Sequence, residues 1–445
     1  MALNILPSGS TAVHLTSGNS YYVAQGTLIS SSNEPNGTLR ALANNNDIRI
    51  TVDGIVIGEQ TGIALTFTSG GVGQNHIVVG ETGIVRGLQT AGTGNSIGVW
   101  VLGDDSGITN DGQISGYLGA TIQQGENTSL DNTGIIRSDG PNTFADAVQL
   151  FQAFTSVYNS GEILGNLAAN GLHFFESSGI VTNTGTIHGN RALYLSSGGG
   201  SNVIIDNSGT LSGANPSTPT IESEGSTLHR LTLNNSGKIF GSPVAIELVS
   251  GANTVRNSGH IEGDIFFGNG NDRYNARDGV TEGLVEGQDG HDTLRGSQLA
   301  DDTLIGGNGD DEIWGRGGDD ALAGDGGVDT ILGQNGNDLI FGGGKRDFLT
   351  GGRGDDTLSG GGGSDIFIFG RQSDDDRITD FQDGSDLIDL TALNIADFAT
   401  LNSTGAITNL SGGGVAIDLS LVGGDGTLWI DGISAGQLSA SDFLF

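Results

Sequence analysis

GGNGDDEIW at residues 306–314 decides the fold, because the same nine-residue phrase recurs on both sides of it. Four further copies read GRGGDDALA (315–323), GDGGVDTIL (324–332), GQNGNDLIF (333–341) and GGRGDDTLS (351–359). The phrase repeats one aspartate in strict step, at Asp302, Asp311, Asp320, Asp329, Asp338, Asp347, Asp356 and Asp365. Each copy predicts a glycine-rich turn followed by a three-residue strand. The strand has one inward apolar side chain, namely Ile313, Leu322, Ile331, Ile340 or Leu358.

This period predicts a parallel β-roll. Six residues of turn and three of strand form half a coil, so two copies close one coil and every second copy stacks. Stacked strands lie about 4.8 Å apart, which places the aspartates in two rows, one along each edge. Carboxylates at that spacing repel by on the order of 1 kcal/mol per pair in water, and by more when partly buried. We therefore expect a cation between them, and carboxylate and carbonyl oxygens favour Ca²⁺ over zinc or copper.

The phrase resembles the RTX nonapeptide, GGxGxDxUx, of calcium-binding β-rolls. The resemblance implies calcium ions between aspartates eighteen residues apart: Asp302 with Asp320, Asp311 with Asp329, Asp320 with Asp338, Asp329 with Asp347, Asp338 with Asp356, and Asp347 with Asp365. Asp292, in GQDGHDTLR, is expected to pair with Asp311 across one extra residue at Gly296. On the order of six or seven ions are implied. Turn glycines complete the implied ligand set: Gly306, Gly309, Gly315, Gly318, Gly324, Gly327, Gly333, Gly336, Gly351 and Gly354.

Three places depart from the pattern. SQLADDTLI (297–305) has no glycine, and GGGKRDFLT (342–350) has Lys345 where the second turn glycine belongs. An isolated phrase, GNGNDRY (268–274), precedes the main array and places Asp272 twenty residues before Asp292. For Asp272 the sequence leaves two interpretations open, a calcium ligand or an ordinary turn residue.

A second, longer repeat precedes the roll. Its phrase is close to N-S/T-G-x-I-x-G and has nine copies, from VDGIVIG (52–58) to NSGHIEG (257–263), with central glycines 22 to 29 residues apart. That spacing predicts one coil of a parallel solenoid per copy. An asparagine precedes most of the glycines, and we expect stacked asparagine amides to form an internal ladder: Asn110, Asn132, Asn159, Asn183, Asn207, Asn235 and Asn257. The phrase resembles the right-handed parallel β-helices of secreted bacterial surface proteins and adhesin passenger domains.

Composition supports a long cation-binding solenoid. The 445 residues include 80 glycines, and the net charge of −35 is concentrated in residues 264–445, which hold 33 acids against 9 bases. Such a chain repels nucleic acid and anionic membranes. There is no cysteine, so we expect calcium to take the stabilising role that disulfides have elsewhere. The N-terminus lacks the basic and apolar segments of a cleavable secretory signal, and no apolar run approaches the roughly 20 residues of a membrane span.

The chain after Ile368 suggests another route of export. DRITDFQDGSDLIDL (376–390) and the terminal SDFLF resemble the C-terminal region of RTX proteins that leave the cell through a type I exporter with an uncleaved signal. In a low-calcium cytosol the carboxylates repel and the chain stays unfolded for export. Outside, at millimolar calcium, sites with dissociation constants of roughly 10⁻⁴ to 10⁻³ M fill and the roll folds.

These observations predict an all-β protein: a right-handed parallel β-helix that continues into an RTX parallel β-roll and a small C-terminal β region. The predicted divisions are an N-terminal cap (1–50), the β-helix of about nine coils (51–263), a connector (264–286), the β-roll (287–368) and a C-terminal cap with the secretion signal (369–445).

An enzymatic role is the alternative, because parallel β-helices often host polysaccharide lyases and epimerases. Such a site needs acids or bases clustered on one face of adjacent coils. The candidates are sparse: His188 with Arg191, His229 with Arg230, and the acid pair Asp104 and Asp105, while His173, Phe174 and Phe175 are expected to fill the core. No HExxH motif occurs.

The sequence therefore predicts a non-enzymatic, secreted calcium-binding structural protein of the bacterial cell surface or biofilm matrix. Its expected partners are calcium, a type I exporter, further copies of itself in an oligomer or filament, and an extracellular polysaccharide or host surface. A polysaccharide-modifying lyase or epimerase is the second hypothesis.

Overall fold

The computed structural model describes residues 3–6, 8–9, 13–15, 19–31, 39–42, 48–58, 61–66, 75–88, 96–141, 145–196, 202–225, 230–276 and 278–445. The chain divides into two compact units, here named unit 1 (Met1–Ser250 with Gly259–Gly263) and unit 2 (Gly251–Ser258 with Asp264–Phe445).

Unit 1 is built from short parallel strands. They are β1 Leu3–Ile5, β2 Val13–His14, β3 Ser20–Val23, β4 Leu28–Ser31, β5 Leu39–Leu42, β6 Arg49–Val52, β7 Ile55–Gly58, β8 Thr61–Thr66, β9 His76–Val79, β10 Ile84–Gly87, β11 Ile97–Leu102, β12 Gly107–Asn110, β13 Gln113–Gly116, β14 Leu118–Asn132, β15 Ile135–Ser138, β16 Val148–Asn159, β17 Glu162–Leu164, β18 Leu172–Phe175, β19 Ser178–Asn183, β20 Thr186–Gly189, β21 Leu193–Ser196, β22 Asn202–Asn207, β23 Thr210–Gly213, β24 Ile221–Ser223, β25 Arg230–Asn235 and β26 Lys238–Glu247.

These strands stack into three parallel sheets, as expected for a parallel β-helix. Sheet A contains β1, β3, β6, β9, β12, β14, β16, β19, β22 and β25. Sheet B contains β4, β7, β10, β13, β15, β17, β20, β23 and β26. Sheet C contains β2, β5, β8, β11, β14, β16, β18, β21, β24 and β26. The predicted all-β solenoid is confirmed.

The core of unit 1 is a set of apolar columns inside the three sheets. Leu172, Leu193 and Ile221 pair in register in sheet C, and all three are fully buried. Alternation along each strand produces these columns, because successive side chains point to opposite faces of the sheet.

The repeated asparagine lies at the corner between sheets A and B. Its amide Nδ2 donates to the Oδ1 of the next asparagine at 2.7–2.8 Å through the series Asn110, Asn132, Asn159, Asn183, Asn207 and Asn235. Each of these side chains is at most 2% exposed. The predicted ladder is confirmed from Asn110 to Asn235, and it pairs these buried amides without any charge. Nδ2 of Asn257 donates instead to the carbonyl oxygen of Val280 and to Oγ1 of Thr281.

The glycine of the phrase is required by the close stacking of coils. A Cβ atom on Gly185 would lie 2.2 Å from the carbonyl oxygen of Gly161 in the preceding turn. A side chain cannot fit at that distance, so the recurrence of glycine at this position of the phrase has a steric cause.

The prediction of a separate N-terminal cap is corrected by the described residues before position 50. Strands β1 and β3 already belong to sheet A, and β4 pairs with β7 in sheet B. The search for the repeated phrase did not reveal these coils, because the turn between β3 and β4 contains Gly26, with a φ of 79°, and lacks that phrase.

Unit 2 is a narrower stack. Its elements are β27 Thr254–Asn257, β28 His260–Phe266, β29 Arg273–Asn275, β30 Val280–Glu282, β31 Leu284–Asp289, β32 Thr293–Arg295, β33 Thr303–Asn308, β34 Glu312–Gly317, β35 Ala321–Gly326, β36 Thr330–Asn335, β37 Leu339–Gly344, β38 Phe348–Arg353, β39 Thr357–Gly362, β40 Ile366–Ile368, β41 Asp376–Ile378, β42 Leu387–Asp389, α1 Phe398–Ser403, β43 Ile407–Asn409, β44 Val415–Asp418, β45 Thr427–Ile430 and β46 Phe443–Leu444. Short 3₁₀ turns lie at Thr391–Leu393, Leu419–Leu421 and Ala440–Asp442.

Two parallel sheets form the roll. Sheet D joins β28, β31, β33, β35, β37, β39, β41 and β45. Sheet E joins β27, β29, β32, β34, β36, β38, β40, β42 and β46. Pairing runs between every second copy of the nonapeptide, as Leu304↔Leu322 and Ile313↔Ile331 show. The five predicted inward residues are all at most 1% exposed.

The strands of the roll are longer than predicted. The sequence predicted three residues per strand, whereas β35 runs over six, Ala321–Gly326. The extra residues belong to the glycine-rich turn, where parallel pairing continues through Gly307↔Asp325↔Gly343 before the chain turns.

The C-terminal residues close the roll in a different way. Strands β43, β44 and β45 are antiparallel, and β45 also pairs in parallel with β41. Helix α1 begins at an N-cap residue, Asp397, whose Oδ1 accepts the main-chain N–H of Thr400 at 2.7 Å. The last strand of sheet D, β45, is therefore covered by β44.

The asparagine ladder gives the first testable prediction. Asn183→Ala should lower the free energy of unfolding of unit 1 by about 2–4 kcal/mol, because it removes the donor to the buried Oδ1 of Asn207 and the side-chain acceptor of Asn159 Nδ2. Asn234→Ala is the matched control: Asn234 donates to Asp206 Oδ1 at 2.8 Å at an exposed position. Urea unfolding followed by circular dichroism measures both, and equal losses for the two variants would contradict the ladder's role.

Candidate metal centre

Two columns of buried aspartates follow the turns between sheets D and E. Asp376 is the first residue of β41, and each of the others stands immediately before a strand of the roll. All are at most 3% exposed. One column contains Asp302, Asp320, Asp338, Asp356 and Asp376, and the other contains Asp272, Asp292, Asp311, Asp329, Asp347, Asp365 and Asp386.

One carboxylate oxygen of each stacked aspartate is fixed by the neighbouring coil. The main-chain N–H of Asp311 donates to Oδ1 of Asp329 at 2.8 Å, and the N–H of Asp329 donates to Oδ1 of Asp347 at 2.9 Å. All six predicted pairs eighteen residues apart are joined in this way, at 2.7–2.9 Å. Asp292 and Asp311, nineteen apart, are joined at 2.7 Å.

The second carboxylate oxygen is buried without a hydrogen-bond partner. This holds for Oδ2 of Asp272, Asp292, Asp311, Asp320, Asp329, Asp338, Asp347, Asp356, Asp365 and Asp376. A buried, unpartnered carboxylate oxygen is costly, so it requires a proton or a cation.

Burial raises the pKa of these carboxyl groups. Loss of solvent raises the pKa of Asp329 to about 6 and that of Asp320 to about 7, against the lowering effect of the main-chain hydrogen bonds. The pKa of Asp376 is raised to about 9, again mainly by burial and with a contribution from Asp356. Burial thus makes the charged form of these carboxyl groups more costly than in water, and a neighbouring positive ion would offset that cost.

The turn glycines bring further oxygen atoms to the same places. A Cβ atom on Gly324 would lie 2.4 Å from Asp329 Oδ2 and 2.6 Å from the carbonyl oxygen of Gly342 in the next coil. The carboxylate and the carbonyl therefore converge over the glycine. A Cβ atom placed on any of four other turn glycines would likewise lie 2.0–2.3 Å from an aspartate Oδ2: Gly306, Gly315, Gly333 and Gly351.

The other predicted turn glycines have a backbone conformation or a close contact that a side chain would disturb. Gly309, Gly318, Gly336 and Gly354 have φ values between 111° and 131°, a region that other residues rarely adopt. Lys345 takes the equivalent position in its copy with a φ of 83°. Gly327 stacks directly on the Gly309 carbonyl, where a Cβ atom would lie at 1.6 Å.

Hard oxygen donors of this kind fit Ca²⁺. Among the residues that the structure describes, no three His, Cys, Asp or Glu side chains gather at one point. Main-chain carbonyls such as that of Gly342 would therefore have to complete any coordination sphere in the columns.

The two irregular copies differ from each other. In 342–350, Asp347 keeps both stacking bonds and the unpartnered Oδ2, so the lysine substitution leaves the geometry intact. In 297–305, the Oδ2 of Asp302 accepts the N–H of Ser297 at 2.6 Å. That copy has one free carboxylate oxygen fewer than the others.

The columns extend further than the sequence predicted. Asp272, for which two interpretations were open, stacks on Asp292 at 2.7 Å. Asp376 and Asp386 continue the two columns beyond Asp356 and Asp365, at 3.0 Å each. Their spacings of 20 and 21 residues break the period, so the regular pattern did not reveal them.

Comparison with known proteins agrees with these columns. The family model of the RTX calcium-binding nonapeptide repeat (4 copies) matches residues 299–331 and 332–367. These residues are RTX calcium-binding repeats. RTX repeats bind calcium, and proteins that carry them are generally secreted. No curated protein matches the chain.

Among solved structures, 27 chains are similar. The AlgE6R3 subunit of the Azotobacter vinelandii mannuronan C5-epimerase is 30% identical, with a TM-score of 0.23, and the match covers 33% of this chain and 80% of that one. The AlgE6R2 subunit is 26% identical, with a TM-score of 0.16 and coverages of 32% and 91%. The extracellular lipase LipA of Serratia marcescens is 15% identical, with a TM-score of 0.20 and coverages of 55% and 45%.

The residues considered for an enzymatic site do not pair as the sequence grouped them. His188 Nδ1 contacts Ser212 Oγ at 2.8 Å, whereas Arg191 forms an ion pair with Glu222. Asp105 Oδ1 accepts an exposed hydrogen bond from Asn127. His229 lies outside the described residues.

A different polar cluster lies on the outer face of sheet C. The assignment of His173, Phe174 and Phe175 to the core is correct only for Phe174, which is 1% exposed on the inner face. His173 points to the other face, because side chains alternate along β18. There it shares a register column with Gln149, Tyr194, Glu222 and Glu247.

Removal of one buried carboxylate tests the columns. Asp329→Asn preserves the size of the side chain and removes its charge. In calcium it should reduce the number of bound ions and destabilise unit 2 by roughly 1.4 kcal/mol for each site lost at tenfold excess over Kd. In EGTA the same variant should be more stable than the wild type, because a buried charge has been removed.

Asp319→Asn is the matched control, since Asp319 is exposed and its Oδ1 accepts the N–H of Asn337 at 2.8 Å. Isothermal titration calorimetry and thermal unfolding distinguish the two variants. If Asp329→Asn and Asp319→Asn lose the same number of ions, the buried column is not the binding site.

Proposed function

We propose that the protein is a secreted calcium-binding structural protein of the bacterial cell surface or biofilm matrix, which folds on meeting calcium after export and then self-assembles or adheres. The observation that carries this proposal is the set of ten buried aspartates with an unpartnered Oδ2. A folded roll of this kind is favourable where calcium is abundant and unfavourable where it is scarce.

Export is proposed to use the C-terminal region, residues 369–445, through a type I exporter. Its support is the resemblance of residues 376–390 to the terminal region of exported RTX proteins, and the calcium dependence just described. Among the described residues, no helix has the length and hydropathy needed to cross a membrane.

Self-association is proposed to depend on calcium because of the chain's charge. A net charge of −35 keeps copies apart, and calcium bound in the columns reduces that repulsion. In unit 2, strands β43 and β44 cover β45, the last strand of sheet D. We therefore place the contacts between copies on the lateral faces rather than at this end.

A polysaccharide-modifying enzyme is the second candidate, and the polar column on sheet C favours it. Glu247 has a pKa raised by burial and by Glu222, and the guanidinium of Arg191 lies 4.4 Å from the Tyr194 ring centre. Incubation with alginate and pectin, followed for new unsaturated ends by absorbance, tests this activity.

Sedimentation velocity at micromolar protein tests the structural role. The wild type in millimolar calcium should sediment as large, growing species, and it should return to a single slow species after addition of EGTA. Magnesium at the same concentration is the control for simple charge screening. A monomer in both calcium and EGTA would contradict self-assembly and would favour an adhesin that binds its receptor as a single copy.

A further inference from the structure

The outer face of sheet C places three polar side chains in sequence across neighbouring coils. Asp146 stands before β16, His173 lies in β18, and Ser196 ends β21. They are 27 and 23 residues apart along the chain, and stacking of the coils brings them together. None of them belongs to the calcium columns of unit 2.

Asp146 is fully buried and accepts hydrogen bonds on both carboxylate oxygens. Its Oδ1 accepts the main-chain N–H and the Nδ2 of Asn170, at 3.1 and 2.8 Å. Its Oδ2 accepts Nε2 of Gln149 at 2.9 Å and lies 2.7 Å from Nδ1 of His173. Three donors other than histidine already hold this carboxylate, so His173 is not needed to satisfy it.

The bond to Asp146 fixes the tautomer of the histidine. A carboxylate only accepts hydrogen bonds, so Nδ1 of His173 carries the proton and Nε2 presents a lone pair. Nε2 lies 2.8 Å from Oγ of Ser196. The serine hydroxyl also lies 3.5 Å from the Phe174 carbonyl oxygen, and the shorter contact favours donation to the histidine.

Exposure increases along this series toward the serine. Asp146 is 0% exposed and His173 is 4% exposed, whereas Ser196 is partly open to solvent. Beside the serine, the rings of Phe151 and Phe175 stack with centres 4.1 Å apart. Phe175 pairs in register with Ser196, so these rings form an apolar shelf next to the hydroxyl.

We propose that Asp146, His173 and Ser196 form a hydrolytic triad that cleaves carboxylic esters with an apolar acyl or aryl group. The distances of 2.7 and 2.8 Å match a base that is oriented by a carboxylate and hydrogen-bonded to a nucleophile. This activity goes beyond the structural role proposed above and does not depend on it.

The reaction balances with water as the only co-reactant. Oγ of Ser196 forms a bond to the ester carbonyl carbon while its proton passes to Nε2 of His173. The ester C–O bond then breaks, and the departing alkoxide takes that proton, which leaves an acyl group on the serine. Water attacks the acyl group, gives its proton to Nε2, and the serine oxygen recovers it as the carboxylic acid leaves.

Asp146 is a positioning residue, because it contacts the histidine and not the substrate. Its replacement by asparagine removes the acceptor that selects the tautomer. Asp146→Asn should therefore lower kcat for p-nitrophenyl butyrate at least about 100-fold while KM stays within a factor of two or three. A purely structural carboxylate would not produce that separation.

Labelling with a fluorophosphonate probe tests the nucleophile in the full-length protein with calcium. We expect covalent modification at Ser196, located by peptide mass spectrometry, with loss in Ser196→Ala and at least about 100-fold slower labelling in His173→Gln. Ser212→Ala is the matched control, because Ser212 also contacts a histidine, His188, but through Nδ1. That control should label like the wild type.

Ser196→Cys provides a second measurement that does not require ester hydrolysis. The chain contains no cysteine, so iodoacetamide reports this position alone. Pairing with His173 should make the thiol react at least about tenfold faster than the same thiol in denaturant, and His173→Gln should abolish the gain. A folded wild type that takes no label at Ser196, or labelling that His173→Gln leaves unchanged, would overturn the triad.

Discussion

The structure of unit 2 depends on stacking carboxylates at the spacing of β-strands. In each column the N–H of one aspartate holds Oδ1 of the next, as from Asp311 to Asp329 at 2.8 Å, which leaves the other oxygen buried without a hydrogen-bond partner. The backbone that shapes the roll thus assembles the negative charge that opposes it. We propose that calcium between coils converts this repulsion into a connection and makes the fold of unit 2 dependent on its ion.

Unit 1 also stacks one polar side chain per coil at the spacing of β-strands, but these side chains are uncharged. Its repeated residue is asparagine, and an amide both donates and accepts, so each asparagine from Asn110 to Asn207 donates to the Oδ1 of the next. Aspartate only accepts, so its columns remain incomplete. One atom, the amide nitrogen that replaces a carboxylate oxygen, therefore separates the hydrogen-bonded ladder of unit 1 from the unpartnered carboxylate oxygens of unit 2.

Much of this was predictable because stacking imposes a period on the sequence. The eighteen-residue pairing of Asp311 with Asp329 follows directly from two nine-residue half-coils, and the asparagine ladder follows from the longer repeat. Prediction failed where extra residues enter the turns. Asp376 and Asp386 are displaced by two and three residues from the period but keep their place in the columns. Asp146, His173 and Ser196 come from different coils, and their loops vary in length, so nothing in the local sequence connects them.

We propose that unit 2 requires calcium to fold and that unit 1 does not. Hydrogen–deuterium exchange of the full-length protein, read by mass spectrometry in calcium and in EGTA, distinguishes the two units. Removal of calcium should abolish protection of main-chain amides in residues 287–390 and preserve it in residues 107–141 and 145–196. Equal protection of residues 287–390 in both conditions would contradict it.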